Sequence, residues 1–281
     1  MKVGGFKRMA AVARLDLVEV FQSRWLVFHS VLYALLAALF LFAGLRESSV
    51  LGYTGMSRLL LSLCHALILV LPLLALTASG LVVNRHREDG TLELLFSLPV
   101  SRGEYFVAVS AVRYLVLLVP LLVLMPLLGL ADRLLFGHVV PWVFIGRSLT
   151  ISATLLWSFA GLGLAISTFV RNRTKALMYL LITWIVCVGG LDFALMGLML
   201  QWRLNAETVF VLSGLNPVQS SRLALLSSAE PSLAILGPVG FYLANRVGHS
   251  WLFLLGTLQP ALIGWASWYV AWRHFRRGDL V

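Results

Sequence analysis

An all-α membrane protein with six transmembrane helices is the fold class this sequence predicts, and three observations carry it. The chain is 60% hydrophobic and only 12% charged over 281 residues, whereas a soluble domain carries about 25% charged residues. Its apolar residues come in long blocks rather than at scattered core positions. Six blocks reach the ~20 residues that cross ~30 Å of hydrocarbon.

The blocks are residues 25–45, 59–83, 105–131, 149–170, 176–200 and 251–272. Pro72, Pro120 and Pro126 fall inside them; in lipid such prolines are tolerated where neighbouring helices satisfy the freed carbonyls. The first block starts too late and runs too long for a cleaved signal peptide. Together the blocks predict one transmembrane domain over residues 1–281, with no internal repeat.

The formal charge of +10 invites a nucleic-acid reading, but the distribution argues against it. With six spans and both termini on one side, 14 Lys and Arg fall on that side and 7 on the other, and Arg113 lies within a span. The bias predicts a multi-pass protein with both termini in the cytoplasm. The basic surplus then has the anionic lipid of the bilayer, not nucleic acid, as its partner.

Ahead of the first span, residues 3–23 read as an amphipathic helix. Phe6, Ala10, Ala13, Leu17 and Phe21 share one face, and Lys7, Arg8, Arg14 and Gln22 lie largely elsewhere. Such a helix lies in the membrane interface or docks on a partner. The outer connection 201–250 is long. Asn216-Pro217 reads as an N-cap and first helical residue, followed by a short helix and then Gly and Pro breaks. The spacing fits helices on the outer membrane surface, helices against an outer partner, or a cap over the bundle.

Little in the chain resembles catalysis. No G-x-x-x-x-G-K-[ST] phosphate-binding loop occurs, and the three lysines are Lys2, Lys7 and Lys175. His65 and Ser79 are separated by ~21 Å of helix rise, too far for a nucleophile and its base. No HExxH motif occurs. Cys64, His65, Cys187, Met196 and Met199 include soft metal ligands, but methionines at helical spacing pack more often than they coordinate, and no metal site is expected. The polar candidates inside the spans are His65, Arg113 and Asp192. From their span ends, Arg113 sits ~12 Å deep and Asp192 ~24 Å deep, so they are not expected to pair. An ion-coupled secondary carrier built on Asp192 and His65 is the alternative they allow.

The remaining segment is 84–104, with REDGTLELLFSLPVSR at its centre. Helix formers dominate 88–98, Glu88 and Asp89 suit a helix start, and Pro99 ends the helix. Ser101 and Glu104 form a capping box for the next helix. Leu92, Leu95 and Phe96 share an apolar face. A helix this short needs a docking surface, either in its own bundle or on a cytoplasmic partner.

Here the chain resembles the ABC-2 type exporter permeases, in which E-x-G-T-L-E-L-L-x-S-x-P-V-S-R follows the second span. Six spans and an interfacial N-terminal helix fit the same family. The resemblance implies that the segment is a coupling helix seated in a cytoplasmic ATP-binding subunit, with Glu88, Asp89, Gly90, Thr91, Leu92, Glu93, Leu95 and Phe96 as the contact. It implies two copies of the permease and two of the ATPase, with ATP and Mg held by the ATPase and no catalytic group or cofactor in this chain. Within the family, Leu215-Asn216-Pro217 and Arg222 resemble the L-N-P-x-x-x-x-R element of the nitrous-oxide-reductase maturation permeases; Ser221 departs from that branch, which has Phe there. That branch implies a periplasmic partner for copper-enzyme assembly, contacted by Asn216, Pro217 and Arg222. An exporter of another substrate (drug, lipid or ion) is the alternative within the family.

Overall fold

The computed structural model describes residues 5–47, 56–136, 139–201, 206–229 and 248–278. Every element among them is helical: α1 Gly5–Gln22, α2 Trp25–Glu47, α3 Met56–Ser79, α4 Val82–Glu88, α5 Thr91–Ser97, α6 Arg102–Phe136 and α7 Trp142–Phe169. They continue as α8 Arg173–Ile185, a π-helical turn Val186–Gly190, α9 Leu191–Gln201, α10 Ala206–Gly214, α11 Pro217–Ala229 and α12 His249–Arg277.

Four described helices are long and apolar enough to cross a membrane: Leu60–Glu88, Arg102–Leu135, Trp142–Phe169 and Arg173–Met199. A fifth is reached if α1 and α2, bent by 59° at their junction, count as one span. This is fewer than the six blocks of the sequence. The last block lies in α12, which is 29 residues long but is diluted by Thr257, Gln259, Pro260 and repeated tryptophans.

α7 is the central post. It packs against α3 on one side and α12 on the other, and α6 closes the bundle. Close approach is set by small residues: a side chain at Gly161 would strike the backbone of Gly264, and one at Gly163 would strike Ser79 and Gly80. The main core gathers Leu67, Leu71, Leu76, Leu117, Leu121, Leu155 and Phe159, all at most 0% exposed. A second core lies at the end of the bundle formed by α1, α4, α5 and the last turns of α12, here the basal end. It joins Val12, Val83, Leu92, Leu95, Tyr105, Phe106 and Phe275.

The face of α1 that packs on the bundle is not the apolar face read from the sequence. Phe6, Leu17 and Phe21 are exposed, while Val12, Asp16 and Val20 are buried against α6. The connection before α12 is different from an outer surface layer. α11 packs among α3, α7 and α12, and Gln259 donates to the Leu215 carbonyl at 3.0 Å. Gln259 lies ten residues into α12, or ~15 Å along its axis. Thus α10 and α11 form a re-entrant hairpin with Leu215-Asn216-Pro217 at its tip. Residues 202–205 and 230–247 of this connection lie outside the described residues, as do residues 48–55 of the loop expected to be the first outer one.

Candidate functional site: two polar knots and a short basal helix

The basal segment begins where α3 breaks at Gly80-Leu81. Asn84 spans the break, donating to the Val170 carbonyl at 2.8 Å and accepting from Ser167 at 3.2 Å. Ser167 also accepts from the Val83 amide at 3.1 Å. These bonds pin α4 to the end of α7.

The expected helix over 88–98 is shorter and starts later. Glu88 ends α4, Asp89 is its C-cap, and Gly90 takes a left-handed conformation, φ 69°, before α5 begins at Thr91. Two helices meeting at this angle need a residue free of the Cβ penalty, and glycine supplies it. Glu88 and Asp89 therefore close α4 instead of opening α5, and Asp89 lies 3.6 Å from Arg85. Leu98 ends α5 in an extended conformation before Pro99. The capping box forms: the Glu104 carboxylate accepts from the Ser101 amide at 2.8 Å, and the Ser101 hydroxyl accepts from the Glu104 amide at 3.2 Å.

The direction in which α5 faces differs from the expected contact. Of Leu95 and Phe96, the anchors expected from the sequence, Leu95 is buried with Leu92 in the basal core, and Phe96 packs edge-on against Tyr105 at 5.8 Å. The exposed apolar residues are Leu94 at 71% and Leu98 at 54%. Glu88, Asp89 and Glu93 are exposed beside them, and Thr91 and Gly90 are half-buried. α1 clamps the far side: Arg8 donates to the Pro99 carbonyl at 2.8 Å and pairs with Glu104 at 3.1 Å.

Beneath α5 lies the first polar knot. Arg113 of α6 bonds Asp16 of α1 at 2.6 Å, and its guanidinium is 3.6 Å from Glu19. Glu19 meets His86 Nε2 at 2.8 Å, and His86 Nδ1 meets the Tyr105 hydroxyl at 2.6 Å. Arg85 approaches Glu19 at 3.6 Å. The hydrogen bond from His86 holds the Glu19 carboxyl below its ordinary value, whereas burial pushes Asp16 up against the pull of Arg113. The network ties α1, α4 and α6 together. Asp16, Glu19 and His86 also place one metal-ligand atom each within 4.8 Å, but the Arg113 guanidinium already supplies positive charge there.

The second knot surrounds the hairpin tip. The π-helical turn interrupts the α8–α9 hydrogen-bond ladder, and Asn216 donates to the Cys187 carbonyl there at 2.6 Å. The same side chain accepts from the Val218 amide at 3.1 Å, which caps α11. Arg222 pairs with Asp192 at 2.5 Å, and Gln219 also donates to Asp192. Asn216, Pro217 and Arg222, expected to contact an outer partner, are engaged within the chain: Asn216 and Pro217 are buried and Arg222 is half-buried. Asp192 and Arg113 belong to different knots. His65 bonds only its own helix among the contacts described, at the Leu61 carbonyl, 2.9 Å.

Sequence reasoning missed Asp16, Glu19 and His86. Asp16 and Glu19 lie at i, i+3 on a helix read by its apolar and basic residues, and that spacing was the available signal.

Residues 10–244 of the chain match the family model described as "ABC-2 family transporter protein". The chain belongs to this family of multi-pass membrane transporters. Two relatives extend the likeness over nearly the full length. The "Probable ABC transporter permease protein NosY" of Stutzerimonas stutzeri is 29% identical over 274 residues, covering 95% of this chain and 97% of the relative. The protein of the same description in Pseudomonas aeruginosa is 27% identical with the same coverage.

Proposed function

We propose that the chain is the permease subunit of an ATP-driven complex of the bacterial inner membrane, with six spans and both termini in the cytoplasm. Two copies pair with two cytoplasmic ABC ATPase subunits, which hold ATP and Mg. The observation that carries this reading is the basal segment. It has a family-type sequence and presents Glu88, Asp89, Glu93, Leu94 and Leu98 to solvent while its opposite face is anchored in the protein's own core. Exposed carboxylates suit basic groups of an ATPase, and exposed leucines suit an apolar cleft.

Movement of α5 passes to α1 through Arg8 and to α6 through the Asp16–Arg113 and Glu19–His86–Tyr105 contacts. Those elements lead to the spans, and the re-entrant hairpin is the outer element that responds. The Leu215-Asn216-Pro217 and Arg222 pattern, with the NosY relatives, supports a role in maturation of a copper enzyme, nitrous oxide reductase, through a periplasmic partner. Co-expression with an ABC ATPase subunit from the same organism tests the reading. Leu94→Asp with Leu98→Asp is expected to abolish co-purification while the permease stays folded. Undiminished co-purification of that variant would overturn the assignment of the contact.

A further inference from the structure

The last two turns of α12 carry a basic cluster outside the proposed α5 contact. Arg273, Arg276 and Arg277 surround a cleft of about 310 Å³ with Tyr269 and Trp272. The Arg276 guanidinium lies 4.7 Å over the Trp272 ring, and the Tyr269 and Trp272 rings are 5.9 Å apart. All three arginines are exposed. Among the described residues, the ion pairs at this end go to Arg8, Arg85, His86 and Arg113 and not to these three.

A helix C-terminus carries partial negative charge that would weaken an anion site. Here Arg102 offsets it, donating to the Gly278 carbonyl at 2.7 Å and to the Arg276 carbonyl at 3.4 Å. Trp272 and Arg276 also line a neighbouring cleft of about 480 Å³ that runs to Met9 of α1. Glu104, the carboxylate on that cleft, is engaged by Arg8 at 3.1 Å. α1 exposes an apolar face at this end, Phe6, Leu17 and Phe21, which suits burial in a bilayer surface. Trp265, Trp268, Tyr269 and Trp272 precede the arginines as an interfacial aromatic belt does.

We infer that this cleft is a binding site for the headgroup phosphate of an anionic phospholipid. Arg273, Arg276 and Arg277 contact the phosphate, and Tyr269 and Trp272 lie beside the glycerol region. Three guanidiniums on one turn suit a phosphate because each presents paired N–H donors. On the proposed reading of α12 as a span, the aromatic belt, the exposed α1 face and the cleft toward Met9 fit the depth of lipid headgroups, which favours a lipid over an acidic protein.

The test uses the full chain in nanodiscs of phosphatidylcholine and phosphatidylglycerol, with retained lipid read by native mass spectrometry. The triple variant Arg273→Gln, Arg276→Gln, Arg277→Gln is compared with Arg171→Gln, Arg173→Gln, Lys175→Gln, which removes equal charge near the same end. The first triple is expected to lower preference for phosphatidylglycerol by more than about tenfold and the second by less than about twofold. Equal losses in both would overturn the site in favour of diffuse surface charge. Excess inorganic phosphate is expected not to displace the lipid from the unmodified chain; displacement would mean a soluble-anion site. The unmodified chain must itself prefer phosphatidylglycerol, and equal retention of the two lipids would overturn the inference without any variant.

Discussion

The two polar knots use similar residues for different ends. In the basal knot the Arg113 and Asp16 side chains are 8% and 1% exposed, and the contacts join three helices far apart in sequence. In the hairpin knot the Arg222 and Asp192 side chains are 23% and 29% exposed, and the contact spans thirty residues. The first is sealed and holds the elements that would carry movement from an ATPase. The second is looser and holds one re-entrant hairpin. A sealed charge pair is fragile to loss of one partner, and the less enclosed pair is expected to be less so.

The largest expected effect follows directly. Arg113→Leu leaves Asp16 buried beside no cation and should destabilise the permease by about 3–5 kcal/mol, measured by thermal or denaturant unfolding in detergent. Adding Asp16→Leu should recover most of that loss. If the double variant is no better than the single, the pair does not govern the basal knot. Next comes the buried side of α5: Leu92→Ala should cost about 2–5 kcal/mol, whereas Leu94→Ala should barely change stability. Asn216→Ala removes both a cap and a partner of the Cys187 carbonyl, for about 1–2 kcal/mol. Arg222→Ala at the looser knot should fall to about 1 kcal/mol or less. A larger loss for Arg222→Ala than for Arg113→Leu would reverse the comparison.

Much of the helical architecture was legible, because long apolar blocks and the Ser101–Glu104 capping box are local signals. The break at Pro99 was legible for the same reason. The start of α5 was not, since it depends on a left-handed Gly90 that separates two short helices. Its apolar face was legible, since Leu92, Leu95 and Phe96 share one side and pack in the basal core. Periodicity could not say whether that face docks in the chain's own bundle or on a partner. Arg113 could not be paired by depth within the spans because its partners lie outside them, on α1. Arg222 and Asn216 resembled outer-facing residues until the chain was seen to re-enter the bundle.

The central claim is that α5 shows an ATPase its Leu94 side and keeps Leu95 for its own core. Site-directed crosslinking tests it most directly, using Leu94→Cys and Leu95→Cys permeases in the assembled complex with a thiol crosslinker to the ATPase. The native thiols do not confuse the result, since Cys64 is buried and Cys187 lies beside the hairpin tip, away from α5. The account predicts ATPase adducts at position 94 and none at 95. Adducts at 95 with none at 94 would contradict it.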